Sequence, residues 1–322
     1  MKKLVIGVTL VIGIPFAPAA IASDHAPWAP AVNAESIPGT SADLNTVYLE
    51  GCPGQSPDAL TLYVVSGRPG GEGGLDIWVA RRSSTSEGWG APVNLGQPIN
   101  SAFDDLCPTP VRGKGLYFVS ARSGGCGASD IYFARRNPAR EWVVEHLDCV
   151  LDGGPNTTAG EASPSYVEAG GDARLFFSSG PDIYQSERRP DGSFGPGSPV
   201  VELNSASADL RPNVRKDGLE IVFDSDRPGG LGGADIYVAT RASVGDAWSD
   251  PVNLGGNVNS AYADVRAFLS WDGRTMYLGS TRPRAGGTTD MDIYVTTRTR
   301  CPTFMAGASY VSAVWGTSAT WW

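Results

Sequence analysis

Histidine and lysine are nearly missing from this chain of 322 residues, which has two histidines, His25 and His146, and four lysines, Lys2, Lys3, Lys114 and Lys216. Two histidines cannot build a multi-histidine metal centre, and so few lysines leave little scope for covalent amine chemistry. Positive charge is short overall: 25 basic residues face 34 acidic ones, a net charge of −9. The basic stripe that displaces counterions from a polynucleotide is therefore absent, and no nucleic-acid partner is expected. Beyond the first residues no apolar run approaches the roughly 20 residues of a membrane helix, so no membrane span is expected. No Gly-x-Ser-x-Gly element occurs, which sets a serine hydrolase of that kind aside.

Turn-forming residues are plentiful instead, with 41 glycines and 24 prolines, which excludes a mostly helical protein. Hydrophobic residues make up 41% of the chain and charged ones 18%, enough apolar material for a large core. Lys2 and Lys3, an apolar stretch over 4–16 and the small-residue site Ala20-Ile21-Ala22 read as an export signal over 1–22. A periplasmic or secreted protein is expected. The five cysteines fit an oxidising compartment, with Cys52, Cys107, Cys126 and Cys149 the disulfide candidates, in a connectivity that spacing leaves open, and Cys301 in the tail.

Internal repetition decides the fold. Asp-Ile-aromatic recurs as Asp76-Ile77-Trp78, Asp130-Ile131-Tyr132, Asp182-Ile183-Tyr184, Asp235-Ile236-Tyr237 and Asp292-Ile293-Tyr294. An Asn followed five residues later by an acid recurs as Asn45 and Glu50, Asn100 and Asp105, Asn156 and Glu161, Asn204 and Asp209, and Asn259 and Asp264. The fourth copy shows the unit most fully. A first strand over 210–215 leads through the turn Lys216-Asp217-Gly218 to a second over 219–223; a glycine loop then leads to a third over 235–240, and Trp248 introduces a short fourth at Pro251-Val252-Asn253-Leu254. Four short strands per repeat, five times over, predict an all-β, five-bladed β-propeller. The last copy lacks its outer strand, while Trp28-Ala29-Pro30-Ala31-Val32-Asn33 supplies a matching piece at the start. The N-terminal strand is therefore expected to close the last blade, giving a propeller over 23–300 and an uncharged tail over 301–322.

The string Ser225-Asp226-Arg227-Pro228-Gly229-Gly230, running into Asp235-Ile236-Tyr237 and then Pro251-Val252-Asn253-Leu254-Gly255, resembles the TolB-type, WD-like propeller repeat of bacterial exported proteins. The resemblance implies a rigid disc that binds a protein or cell-envelope ligand through one face.

A feature present in every blade reads first as part of the blade. Glu50, Asp105, Glu161, Asp209 and Asp264 are expected around one mouth of the channel, each capping backbone N–H groups or pairing with an arginine. The other reading makes them the carboxylates of a glycosidase or a calcium site. The arginines after the second strand (Arg68, Arg122, Arg227, Arg282) and the Asp of each Asp-Ile-aromatic are expected to pin the glycine loops. The aromatics Trp28, Trp89, Trp142, Phe194 and Trp248 read as packing between blades, whereas Trp271 and Trp315 are unrepeated and better suited to exposed contacts. Unrepeated charge in blades four and five makes Asp209, Arg211, Asp224, Asp226, Asp264 and Arg266 the candidate ligand-binding set. The sequence thus predicts an exported, monomeric, non-catalytic propeller that needs no cofactor and binds a protein or cell-envelope or glycan ligand on its acid-rimmed face. The alternative is a carbohydrate-active enzyme, a glycoside hydrolase or lyase, using the mouth carboxylates.

Overall fold

A computed structural model describes residues 25–283 and 290–301. The expected export signal, Trp315 and all of the tail after Cys301 lie outside the described residues. The strands form five antiparallel sheets of four strands each, arranged as the blades of a propeller. Blade one comprises Glu50–Gln55, Thr61–Ser66, Asp76–Arg81 and Val93–Asn94, and the pattern repeats in blade two from Asp105–Val111, blade three from Glu161–Ala169 and blade four from Asp209–Val214. Blade five, Asp264–Leu269, Thr275–Ser280 and Asp292–Thr297, takes its outer strand from Val32–Asn33, with Val32 opposite Val295. This N-terminal closure, expected from the misplaced Trp-to-Asn segment, removes the open edge that the last sheet would otherwise present.

The inner strands of successive blades touch in ring order, blade five against blade one. Between each pair of blades lies an apolar cluster; Phe176 and Ile183 of blade three, for example, meet Ile221, Phe223 and Trp248 of blade four. Each fully buried aromatic of this kind contributes about 2–3 kcal/mol. The junction aromatics pack as the repeat implied: Trp89 is fully buried and donates its indole N–H to the Tyr277 hydroxyl of blade five at 3.2 Å.

The repeated asparagines explain why the spacing is kept. Each one accepts from the backbone N–H of the preceding blade's Asp-Ile-aromatic isoleucine and donates to that isoleucine's carbonyl. For Asn100 with Ile77 both distances are 2.9 Å, and Asn45 closes the ring by the same pair of bonds to Ile293. The linker after every blade is thereby bonded to the strand before it.

Candidate functional site at the channel mouths

The strand register puts the five repeated acids at one end of the blades and the first hairpin turn of each blade at the other. Glu50 lies opposite Ser66, while the turn that follows Gln55 lies at the far end.

All five acids are completely buried. Each receives the backbone N–H and the hydroxyl of the Ser or Thr four residues earlier. For Glu50 these are Thr46 at 2.8 and 2.6 Å, for Asp264 Ser260 at 2.6 and 2.7 Å. The other oxygen of each aspartate in the set meets a blade arginine: Arg122 lies 2.7 Å from Asp105 and Arg282 2.8 Å from Asp264, and Arg227 pairs with Asp209. Arg68 meets Glu50 at 3.1 Å. The arginines thus serve the ring acids and not the Asp of Asp-Ile-aromatic. That Asp caps its glycine loop instead, as where Leu231 N–H donates to Asp235 at 2.5 Å. Blade three lacks the arginine, and Glu161 makes do with Thr157 and Ser179, at 2.6 and 3.0 Å from one carboxylate oxygen. Burial pushes the Glu161 carboxyl above its ordinary range. Among the described residues the ring acids form no convergent group of metal ligands. A carboxylate that is fully buried and bonded to its own loop cannot reach a glycosidic oxygen, so the ring geometry is that of a structural clasp used five times.

A second ring lies farther down the channel. Two residues after each acid, the inner strand bulges at Cys52, Cys107, Ser163, Arg211 and Arg266, with left-handed φ values of 42°, 50°, 49°, 55° and 58°. The following proline, present in four blades, has no N–H to give to the ladder, which favours a break in register at this point. A conformation costing about 1 kcal/mol per residue therefore repeats five times around the channel. This ring was not found from the sequence.

Its five side chains differ. Cys52 and Cys107 form a disulfide between blades one and two. Arg211 grips Asp224 in a bidentate pair, Nε to Oδ1 at 2.9 Å and Nη2 to Oδ2 at 2.6 Å, while Asp224 also accepts the Arg266 backbone N–H at 2.9 Å. The Arg266 guanidinium lies over Gly51, where a Cβ would fall 2.6 Å from Nη1, and beside the Met291 sulfur. Burial and the Arg211 charge bring the Arg266 pKa down to about 10. The cavity lined by these residues is only about 20 Å³, room for little more than one water molecule. Asp226, the remaining member of the candidate ligand set, is exposed and accepts the Ala208 backbone N–H at 2.9 Å. Asp209 and Asp264 belong to the clasps, so the six candidates do not assemble into one pocket.

The opposite mouth is different. Trp271, in the hairpin turn of blade five, meets Arg112 from the turn of blade two and Lys216 from the turn of blade four, each cation 5.2 Å from the indole centre. Blades two and five are not neighbours, so the Arg112 contact spans the channel. Tyr166 of blade three lies beside them; Lys114 sits 5.3 Å from its ring, donates to its hydroxyl at 3.2 Å and pairs with Glu168. The Tyr166 hydroxyl donates to Glu168 at 3.0 Å. The bond from Lys114 holds the Glu168 carboxyl below its ordinary range. These residues line a groove of about 350 Å³, within the range of small-ligand sites.

In blade two, His146 pairs with Tyr132 where Asn94 pairs with Trp78 in blade one. It contacts Asp130 at 3.1 Å, as Asn94 contacts Asp76 at 3.2 Å. Cys126, Asp130 and His146 bring potential metal ligands together, but Cys126 is bonded to Cys149. Its sulfur is committed to that bond.

No family model and no curated protein matches the chain. Solved structures do match in fold. An α-L-arabinofuranosidase from Lactobacillus brevis is 13% identical over 83% of this chain and 94% of its own, with a TM-score of 0.52. An α-L-arabinofuranosidase from Podospora anserina, in complex with cellotriose, is 11% identical over 86% of this chain and 98% of its own, at 0.53. A xylan β-1,4-xylosidase from Bacillus halodurans is 13% identical over 80% of this chain and 54% of its own, at 0.52.

Two expectations are corrected by these findings. The similar structures are glycosidase propellers, and the TolB-type resemblance, which rested on turn and strand residues common to many blades, is not upheld. The reading as a non-catalytic binder of a protein or envelope ligand rested on that resemblance and falls with it. Among the described residues no helix is long and apolar enough to cross a membrane.

Proposed function

We propose that the protein is a carbohydrate-active enzyme that takes its glycan at the hairpin-turn mouth of the channel. The observation that carries this reading is Trp271. It is the unrepeated tryptophan of the described residues, it lies across the channel axis, and it lines a groove that accommodates a sugar. Aromatic rings beside polar and charged groups are what a pyranose or furanose needs, since its C–H face is apolar and its hydroxyls are not. The likeness to arabinofuranosidase and xylosidase propellers supports the same class of substrate.

Within the groove Glu168 is the carboxylate. Lys114 and Tyr166 hold it ionised, the state required of a group that attacks or stabilises an oxocarbenium-like centre. Release of reducing sugar from xylan and arabinoxylan, followed by chromatography, tests the reading. Wild type is expected to cleave and Glu168→Gln to lose at least tenfold in rate with its fold intact by circular dichroism. A wild type that leaves every polysaccharide of such a panel uncut would overturn the assignment.

A further inference from the structure

We propose that the sugar taken at the Trp271 mouth is acidic, one whose ring carries a carboxylate. This rests on the assignment of that mouth as the glycan site and adds the class of sugar.

The chain has only two lysines beyond residue 3, and both, Lys114 and Lys216, line this groove together with Arg112. Three cations therefore face one carboxylate, Glu168, in a protein whose net charge is −9. Lys114 is paired with Glu168, but Arg112 and Lys216 form no ion pair among the described residues. Both instead lie against the same indole, brought there from blades two and four. A cation–π contact at an exposed site is worth about 0.5–1 kcal/mol, and two like charges over one ring repel. Acidic side chains are abundant in the molecule, yet among the described residues none forms an ion pair with either of these two cations. An anion arriving with the ligand would meet both charges at once, and a planar carboxylate suits the two-pronged guanidinium of Arg112. At the acid end the clasp arginines Arg122, Arg227 and Arg282 are already bonded to carboxylates, and the cavity beside Arg266 holds only about 20 Å³.

Calorimetric titration with xylotriose and with xylotriose bearing one glucuronic acid branch tests this. Wild type is expected to bind the acidic sugar about tenfold more tightly, by about 1.4 kcal/mol, with the preference shrinking as ionic strength rises. The variant Arg112→Gln/Lys216→Met, which removes both cations on the indole, is expected to bind the two sugars equally. Equal affinity in wild type, or a preference that persists in the double variant, overturns the acidic-sugar inference and leaves the glycan site standing. Absence of binding by either sugar overturns both.

Discussion

The two ends of the channel are built from the same strands and differ in almost everything else. At one end, five buried carboxylates each hold the hydroxyl and N–H of their own loop, and four of them hold an arginine. At the other, the turns carry Arg112 and Lys114, Lys216, and Trp271, no two blades alike. At the repeated end the ring acids are committed to their own loops and, in four blades, to an arginine. The unrepeated end keeps an aromatic ring, three cations and one carboxylate in an open groove. Symmetry marks what every blade needs in order to fold, and the departure from symmetry is where we place the ligand.

The largest expected effect is at the repeated end. Asp105→Asn removes the charge partner of Arg122, whose side chain is 18% exposed, and weakens the cap on Ser101. Loss of one member of a largely buried pair costs about 3 kcal/mol. Urea unfolding measures it, and sugar cleavage per folded molecule is expected to stay at the wild-type level. A variant as stable as wild type would show that the clasp is incidental.

Blade three supplies a natural comparison, because Glu161 has no arginine to hold its charge. Glu161→Gln is expected to cost less than about 1 kcal/mol, since the amide oxygen can still accept from Thr157. The pH dependence carries the sign. The folded state raises this carboxyl above its unfolded value, so its contribution to stability is fully present below the unfolded pKa and is lost as pH rises through the folded one. Wild type should therefore lose stability relative to Glu161→Gln between those two values. Unfolding curves taken across pH 4 to 8, a range chosen to span the ordinary and the raised carboxylate range, would show a flat difference if Glu161 were ionised at no cost.

Much of the fold was legible in the sequence, because propeller blades announce themselves by period. The Asp-Gly turn of blade four, the Trp-to-Val-Asn spacing that exposed the closing strand and the asparagine before each acid all have local physical causes. The strands of blade four begin and end within two residues of their expected places. The site was less legible, for two reasons. The bulge that turns Cys52, Cys107, Ser163, Arg211 and Arg266 into the channel depends on left-handed backbone, which residue identity does not announce outside glycine. The groove depends on turns of nonadjacent blades meeting across the axis, so Arg112 and Trp271, 159 positions apart in the chain (271 − 112), carry no local signal of their contact. Trp271 stood out only as an aromatic without counterparts, and Lys114 and Lys216 only by their rarity. Acid repetition drew attention to the ring carboxylates, whose hydrogen-bond partners, the hydroxyl and N–H of their own loops, became visible only in the structure.

The central claim is that the sugar is held at the unrepeated mouth. Titrating one xylo-oligosaccharide into wild type, Trp271→Ala and Asp105→Asn, each checked for folding at the titration temperature, tests it most directly. At least a tenfold loss of affinity in Trp271→Ala with wild-type affinity in Asp105→Asn is predicted; undiminished binding by Trp271→Ala, with the loss falling on Asp105→Asn, would contradict it.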